Sequence, residues 1–464
     1  MRTDSLGNPV TVTDPATAAA IDDFVEGLLA YESRAAGIVR AAEAAPDNCL
    51  ANAYAGLLWM LLEANGAPDK ARPYLNRAKA AASGATPREG LAVQVLDAWV
   101  DDDVPLALQL CADAAARFPR DLVMVKIDNY LNFNLGRFAE ILRSTEAVFE
   151  ANRDVAYMHG MIAFAYEQCH LLEEAEAAAR EALRIRRKEP WAQHALAHVL
   201  LTTGRIDEGA AFMEGVQDTW TDLNSFMSTH LWWHLALFYL SHGRFDEVLA
   251  LYDRHVWGVA KDYSQDQIGA VSLLARLELD GVDVGDRWQD VGEHVAARGP
   301  DALQPFLAVQ YLYGLARAGR PEADAAMAAI RERAGSAPAY AGRAWREAAL
   351  PLAEGLLAHA RGDYAAAEAR LTSALAQVIL IGGSHAQRDL FEQVRLDSVI
   401  RNERWSLAQQ LLEQRRATDR DGVPVNRALA RVYDALDLPK EAAKARSRVE
   451  HTLATHATRR KLPA

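Results

Sequence analysis

The sequence has few cysteines and no excess of basic residues. Its three cysteines, Cys49, Cys111 and Cys169, lie far apart and form no CxxC pair. This argues against a disulfide framework and a thiolate zinc site, and it indicates a reducing compartment. The 50 lysines and arginines against 63 aspartates and glutamates give a formal net charge of −13. Because nucleic-acid binding requires clustered cations that neutralise phosphates, we expect no nucleic-acid partner.

The chain also lacks a recognisable targeting segment. The N-terminal stretch MRTDSLGNPVTVTDPATAAA has no apolar core of the kind that a secretory signal needs. The longest apolar run, residues 50–63, is interrupted by Asn52 and is too short to cross a bilayer. We therefore expect a cytoplasmic protein with no membrane span. No HExxH or GxSxG motif identifies a reaction.

Internal repetition is the strongest positive feature of the sequence. Turns at 136–138 (GRF), 204–206 (GRI), 243–245 (GRF) and 362–364 (GDY) each separate two amphipathic helical segments. Glycine ends the first helix at such a turn, because left-handed backbone is unstrained without a Cβ. Helix pairs with a period of about 34 residues are typical of tetratricopeptide repeats (TPRs). The predicted fold is an all-α TPR solenoid, a right-handed superhelix of helix-turn-helix pairs.

The repeat pattern predicts where the helix pairs lie and divides the chain into regions. A first helix over about 15–41 is expected to cap the array. Further helix pairs are predicted at about 48–82, 87–117, 121–149, 155–187, 302–334, 386–415 and 426–450. The predicted regions are an N-terminal segment with its capping helix (1–41), repeats with a His- and Trp-rich middle (42–261), an irregular helical insertion (262–300), C-terminal repeats (301–450) and a polar tail (451–464).

The middle repeats are rich in histidine and tryptophan. Eight of the 13 histidines and six of the ten tryptophans lie between residues 157 and 290. In the TPR register, the first helices of three consecutive repeats present such side chains to one concave surface. The residues predicted to line this surface are Tyr157, Trp191, His194, His198, His230, Trp233 and His234.

Two histidine pairs in this region have the spacing of metal ligands. His194 and His198 are four residues apart, as are His230 and His234, so each pair shares one face of a helix. Because packed helices lie about 8–10 Å apart, the four imidazoles can converge on a Zn or Fe ion. Candidates for completing the ligand shell are Glu167, Asp253 and His255, and the candidate catalytic residues are His198, His230, Asp253 and His255.

Two other interpretations of the same residues stay open. Trp, His and Tyr side chains can form a groove that binds a peptide or a small molecule by stacking and hydrogen bonding. Histidines four residues apart are also common in plain helix packing. The sequence favours the groove and predicts no cofactor, with bound metal as the alternative.

The segment GGSHAQRD at 382–389 permits two interpretations as well. A glycine-rich loop at the start of a helix can bind phosphate through its backbone N–H groups. The segment lacks the Walker spacing and its lysine. The favoured interpretation is that Gly382 and Gly383 end one helix and that Ser384 caps the next.

Several longer motifs resemble those of the tetratricopeptide repeat protein 38 family. They are WAQHALAHV, HLWWHLALF, LYDRHV, DRWQDV and GGSHAQRDLF, in this order, and the resemblance covers most of the chain. It implies a helical repeat protein without an assigned reaction. At His385 the sequence departs from the family pattern, which argues against a catalytic role for it. The matching residues are His194, His198, His230, Trp233, His234, Tyr252, Asp253, His255, Arg287, Trp288, Gln289, Asp290, Gln387, Arg388 and Asp389.

The resemblance adds two candidate binding residues, Arg287 and Arg388. A superhelix can bring segments near 190, 280 and 380 around one cavity, where either arginine would pair with an anionic ligand or with Asp253. The alternative for each arginine is a buried ion pair between repeats. The predicted function is thus binding of a peptide or small molecule in a concave groove. The alternatives are an enzyme that uses the four histidines and a scaffold that forms homo-oligomers.

Overall fold

Antiparallel helix pairs make up most of the chain in the computed structural model, which describes residues 2–459. Two short strands, β1 (Arg2–Thr3) and β2 (Pro9–Val10), pair antiparallel before the first helix. The first helices are α1 (Pro15–Leu29), α2 (Gly37–Ala44), α3 (Cys49–Met60), α4 (Ala67–Ala81), α5 (Pro87–Val100), α6 (Val104–Arg117), α7 (Leu122–Asn134), α8 (Phe138–Phe149), α9 (Ala156–Gln168), α10 (Leu172–Ile185), α11 (Pro190–Thr202) and α12 (Ile206–Val216). They are followed by α13 (Ser225–Ser241), α14 (Phe245–Leu251), α15 (Ser264–Leu279), α16 (Arg287–Ala296), α17 (Pro305–Arg317), α18 (Glu322–Ser336), α19 (Ala339–Arg343), α20 (Leu350–Ala360), α21 (Tyr364–Leu375), α22 (His385–Arg401), α23 (Trp405–Arg416), α24 (Val423–Ala435) and α25 (Pro439–Arg459).

This architecture confirms the predicted all-α TPR solenoid. The four predicted turn glycines, Gly136, Gly204, Gly243 and Gly362, have positive φ angles of 65, 71, 71 and 80°. Each therefore ends the first helix of a pair in the left-handed region, as expected. A β-carbon on Gly355 would lie 2.7 Å from Leu371 Cγ, which shows how closely α20 and α21 cross.

The two helices of a pair differ in burial, and we call them inner and outer. In the middle of the chain α9, α11, α13 and α15 are inner helices, and nearly every side chain on them is buried. The outer helices α10, α12, α14 and α16 bury one face only. Inner helices of neighbouring repeats contact each other, since α11 packs against both α9 and α13.

The single helix predicted for residues 15–41 is wrong. It is broken after α1 at Tyr31, whose φ of 56° lies in the left-handed region. The segment that follows pairs with a distant loop, because Ser33 N donates to Asp222 O at 2.8 Å and Asn224 N donates to Tyr31 O at 2.6 Å. Glu32 is extended at this pairing, and residues 33–36 form a short 3₁₀ helix before α2 begins.

Two other regions are more regular than expected. Residues 262–300 contain the helix pair α15 and α16, and α15 packs between α13 and α17 as an inner helix does. In the predicted polar tail, α25 continues to Arg459 and buries Thr452 and His456. Residues 460–464 of that tail lie outside the described residues. The other region boundaries remain predictions.

Repeats that are far apart in the chain contact each other across the concave side of the solenoid. Ser241 Oγ donates to Asp419 Oδ1 at 2.6 Å, and Gln304 Nε2 donates to Tyr130 Oη at 3.0 Å. Arg276 Nη2 reaches Ala386 O at 2.9 Å. The concave groove expected from the sequence is therefore bordered by repeats that are far apart in the chain. Among residues 2–459, no helix has the length and apolar character needed to cross a membrane.

Candidate functional site

Two adjacent inner helices carry the four candidate histidines. α11 begins after Glu189, whose carboxylate accepts from Ala192 N, and it carries His194 and His198. α13 begins after Asn224, whose side chain accepts from Met227 N at 2.9 Å, and it carries the other pair. Because residues four apart lie on one helix face, the packing of α11 on α13 turns both pairs toward each other.

His194, His198, His230 and His234 form one cluster, which we call the histidine tetrad. The Nε2 atoms of His194 and His230 are 3.0 Å apart, as are those of His198 and His194. His234 Nε2 lies 3.2 Å from His230 Nε2. His194, His198 and His234 are buried, and His230 is partly exposed. All four side chains thus direct the same ring nitrogen toward one point.

Hydrogen bonding alone does not account for this convergence. Burial lowers the pKa of His198 and of His230 to about 3, so both rings are neutral at pH 7. Burial and the neighbouring imidazoles also hold the pKa of His194 and His234 well below the usual value. A neutral imidazole nitrogen either donates one hydrogen or offers one lone pair. His194 Nε2 has two close nitrogen neighbours, and one hydrogen or lone pair cannot serve both well.

The spacing of the nitrogens suits a bound transition metal. With zinc–nitrogen bonds of about 2.0–2.1 Å, the nitrogens of a tetrahedral site lie about 3.3 Å apart. Adjacent corners of an octahedron with bonds of about 2.1 Å lie about 3.0 Å apart. The three measured separations of 3.0, 3.0 and 3.2 Å fall in this range. One ligand atom from each of the four histidines lies within 4.8 Å of the others.

A buried carboxylate stands behind the tetrad. Glu167 Oε1, at the end of α9, lies 3.3 Å from His198 Nδ1 and 3.1 Å from His385 Nε2. Both are close electrostatic contacts, because Oε1 accepts no well-aligned hydrogen bond. Burial raises the pKa of Glu167, with His385 acting in the opposite direction. A carboxylate on the outward nitrogen of a ligating histidine fixes its tautomer and orients the ring.

His385 belongs to this network although the sequence argued against a role for it. Its Nε2 also lies 2.8 Å from Thr202 Oγ1, and its ring centroid is 5.2 Å from that of His198. Burial lowers the pKa of His385 to about 4, while Glu167 acts to raise it. The position of His385 depends on closure of the solenoid, since it is the first residue of α22. Nothing in the local sequence indicates that contact.

One side of the tetrad borders a cavity of about 480 Å³. His194 and His230 are part of its wall, and Trp191 stacks on His194 at a centroid distance of 4.5 Å and an angle of 23°. The cavity extends from the tetrad toward the N-terminal helices. Its remaining wall is mainly apolar, with Leu28, Val39, Leu58, Ile127, Phe133, Met161, Phe164 and Phe226. A volume of this size is typical of small-molecule sites.

Two residues predicted to line the groove are buried elsewhere. Tyr157 Oη donates to Glu26 at 2.7 Å and also contacts Arg186, so it joins α9 to the N-terminal helix α1. Trp233 is 2% exposed and stacks behind His230 at 5.3 Å and 7°. Neither belongs to the cavity wall.

Three candidates from the outer layer lie away from the tetrad. Asp253 accepts a two-point ion pair from Arg287 at 2.8 and 2.7 Å, and both side chains are partly exposed. His255 stacks on Trp232 at 4.0 Å. Asp253 and His255 belong to a short π-helical segment (Tyr252–Val256) that continues α14. Arg287 therefore pairs with Asp253, one of the two partners predicted for it, and the pair is exposed where the alternative predicted a buried one.

The segment 382–389 ends one helix and begins the next, as favoured. Gly382 and Gly383 have φ angles of 77 and 74°, and Ser384 caps α22 in a reciprocal pair of hydrogen bonds with Gln387. Arg388 donates to Gly383 O and lies over Phe138, and burial lowers its pKa to about 10. Arg388 therefore supports the loop that places His385.

Lys126, a buried lysine on α7, is a further residue of the site that the sequence did not predict. Its Nζ lies 3.6 Å from the ring centroid of Tyr31 and 5.4 Å from that of Trp191, and all three residues belong to the cavity wall. The signal was present, because Lys126 interrupts the apolar run LVMVKI. A lone lysine in such a run is rarely buried without a reason.

Comparison with known proteins finds only distant similarity to helical-repeat structures. No protein-family model matches the chain. A human IFIT1 dimer with PPP-AAAA is 12% identical, with 95% of each chain covered and a TM-score of 0.43. A Rap protein complexed with competence and sporulation factor is 12% identical over 88% of this chain and 99% of that one, with a TM-score of 0.36. The P58(IPK) TPR domain is 11% identical over 80% and 97%, with a TM-score of 0.22. Similarity this distant carries no information about ligands.

Proposed function

We propose that this protein is a metal-dependent enzyme whose histidine tetrad holds one divalent transition metal, zinc or iron, beside a small-molecule cavity. The observation that carries the proposal is the convergence of four buried imidazole nitrogens at separations of 3.0, 3.0 and 3.2 Å. Neutral imidazole is the form that binds metals. A metal at this position would act as a Lewis acid toward a ligand in the cavity.

The asymmetry of the tetrad supports an enzyme over a purely structural site. His198 and His234 are completely buried, whereas His194 and His230 also belong to the cavity wall. A fifth or sixth coordination position would therefore face the cavity. Fe(II) keeps such positions open, while zinc with four protein ligands is typical of closed structural sites. Bound iron would therefore favour catalysis, whereas bound zinc would fit either a catalytic site with expanded coordination or a structural site.

Metal analysis of the untagged protein tests the proposal directly. We expect about one zinc or iron per chain after purification or reconstitution. In the double variant His198→Ala/His230→Ala we expect about a tenth of that amount or less. His255→Ala is the matched control, because His255 is also an aromatic-stacked histidine but lies outside the tetrad. It should keep its metal.

A wild-type chain that takes up no zinc, iron or other transition metal under these conditions would contradict the proposal. Equal loss of metal in a folded His255→Ala chain would do the same, because metal binding would then not depend specifically on the tetrad. Circular dichroism on each variant separates these causes.

A second candidate function is ligand binding without catalysis, which the apolar cavity of about 480 Å³ favours. In this case the tetrad would hold zinc as a structural link between α11 and α13. A bound small molecule that is released unchanged, together with stoichiometric zinc, would favour this candidate. A peptide is the less favoured ligand, since a cavity of about 480 Å³ has the size of a small-molecule site.

The finer family assignment and the compartment are also proposals. The motifs that resemble the tetratricopeptide repeat protein 38 family include all four tetrad histidines, and their convergence supports membership. The cysteines Cys49, Cys111 and Cys169 are free in the structure, which supports a reducing, cytoplasmic environment. A homo-oligomer remains a hypothesis that light scattering would test.

A further inference from the structure

The cavity beside the tetrad contains one buried cation. Lys126 is 9% exposed, and its Nζ lies over the ring of Tyr31 at 3.6 Å. Within residues 2–459, no carboxylate lies within the 4.0 Å that defines a salt bridge to this ammonium group. Glu189, which lies further away, acts through its charge to raise the pKa of Lys126. Lys126 is therefore a cation held mainly by aromatic faces.

Such a cation is costly unless something compensates its charge. An ammonium group that leaves water for an apolar site loses much of its favourable hydration. Aromatic faces offset only part of that loss. Consistent with incomplete compensation, burial lowers the pKa of Lys126 to about 7. An anionic group from a ligand would complete the pair.

The rest of the cavity wall indicates the chemical character of the remainder of the ligand. Most of its wall consists of aliphatic and aromatic side chains, and its polar groups at the far end are mainly amides and hydroxyls. Glu63, at that end, already accepts from Tyr130 at 2.9 Å and Gln265 at 2.5 Å. A second charge on the ligand would find no cationic partner in this wall beyond Lys126.

We propose that Lys126 binds the carboxylate of an otherwise apolar small molecule that fills this cavity. This inference rests on the proposed function, because it names the class of substrate that the same site would bind. Trp191 connects the two features, as its ring contacts both Lys126 Nζ at 5.4 Å and the ring of His194 at 4.5 Å. The carboxylate end of the ligand therefore lies beside the tetrad.

The backbone conformation of Tyr31 also supports a ligand site at this end of the cavity. Tyr31 adopts a left-handed conformation, with φ of 56°, which is unusual for an aromatic residue. The hydrogen bond from Asn224 N to Tyr31 O, at 2.6 Å, holds it there. This conformation places the ring between Lys126 and Phe226, whose ring centroid is 5.8 Å away. Strained residues of this kind concentrate at ligand sites.

Chain-matched pairs of acid and alcohol test the inference by calorimetry. The probes are decanoate against decanol, and 4-phenylbutyrate against 4-phenylbutanol, titrated into the wild-type chain. We expect each acid to bind at least about 30-fold more tightly than its alcohol. In Lys126→Met this preference should vanish, while Lys126→Arg should keep most of it. Lys79→Met, at an exposed ion pair with Asp97, is the control and should bind like the wild type.

The outcomes separate this inference from the proposed function. Equal affinity for acids and alcohols, or acid binding that survives in Lys126→Met, would overturn it whatever the metal content. Metal content is measured on the same samples, and Lys126→Met should keep its metal. Acid binding that depends on Lys126 in a chain without metal would support the inference and contradict the enzyme. Trapping of decanal on Lys126 by borohydride, without acid binding, would instead indicate a carbonyl ligand and overturn the ion pair.

Discussion

The inner and outer layers of the solenoid carry similar types of side chain, but only those of the inner layer converge on one point. In the inner layer, four histidines from α11 and α13 meet within hydrogen-bonding distance. In the outer layer, Asp253, His255 and Arg287 form one exposed ion pair and one aromatic stack. The histidines lie in the motifs WAQHALAHV and HLWWHLALF, and the outer residues lie in LYDRHV and DRWQDV. Their layer, more than their chemistry, decides whether they form a site.

The physical reason lies in how repeats contact each other. Inner helices of adjacent repeats pack directly, so side chains separated by one repeat approach across a single helix interface. Outer side chains separated by one repeat also meet, as Arg287 and Asp253 do 34 residues apart. They meet at the surface, however, where water weakens the interaction.

The largest expected difference between the layers concerns two neighbouring tryptophans. Trp233, in the inner core, is 2% exposed, whereas Trp232 faces the outer layer and stacks on His255. Trp233→Ala should lower the free energy of unfolding by about 3–5 kcal/mol. Trp232→Ala should cost about 0.5–1.5 kcal/mol. Urea unfolding of both metal-free variants measures this, and equal losses would break the comparison.

A second contrast uses buried and exposed carboxylates. Burial raises the pKa of Asp266, at the start of α15, to about 6. A raised pKa means that the folded protein favours the protonated carboxyl, so its contribution is present below about pH 4 and lost as the pH rises through about 6. The stability of the wild type relative to Asp266→Asn should therefore fall by up to about 3 kcal/mol from pH 4 to pH 7.

Asp253→Asn is the control for this pH dependence, because Asp253 is 48% exposed and ion-paired in the outer layer. Urea unfolding of the three proteins across this range is the measurement. A flat difference between wild type and Asp266→Asn would show that burial in the inner layer does not perturb this group.

A third test concerns the carboxylate behind the tetrad and rests on the proposed metal. Glu167→Gln keeps the shape but removes the charge that faces His198 Nδ1 at 3.3 Å. Metal affinity should fall about 10–100-fold, the range seen when the partner of a ligating histidine is changed. Competition with a chromophoric chelator measures it. Unchanged affinity would mean that Glu167 does not orient His198.

The smallest expected effect is in the outer layer. Arg287→Ala removes the exposed ion pair with Asp253 and should cost about 0.2–1 kcal/mol. The loss should shrink in high salt, because screening weakens surface pairs. Thermal unfolding at low and high ionic strength checks this. A larger loss that is independent of salt would mean that this pair stabilises the fold more than an exposed ion pair is expected to.

The sequence predicted most of the fold and the core of the site. The glycine turns marked the helix pairs, because a left-handed residue has a distinctive local signature. The spacing of His194, His198, His230 and His234, placed in the repeat register, put them on facing helices. Both features depend on local periodicity, which a single sequence displays.

The sequence did not predict what depends on closure of the solenoid. Tyr31 breaks the first helix because a loop near residue 224 pairs with it, and His385 joins Glu167 across more than 200 residues. Lys126 gains its aromatic neighbours, Tyr31 and Trp191, only through contacts between helices that are far apart in the chain. Contacts between distant repeats leave no periodic trace, so the closed cavity could not be distinguished from an open groove.

Closure has a consequence for how the chain folds. An open repeat array can begin folding at any repeat and extend stepwise, because each repeat contacts only its neighbours. Here the hydrogen bond of Ser241 with Asp419 and the contact of Thr202 with His385 join residues 178 and 183 positions apart. Contacts of such separation slow folding, since the loops between them must be ordered first. The cavity thus takes its final form only when the last repeats have emerged, so a nascent chain that ends before α22 has the four histidines but not the enclosure around them.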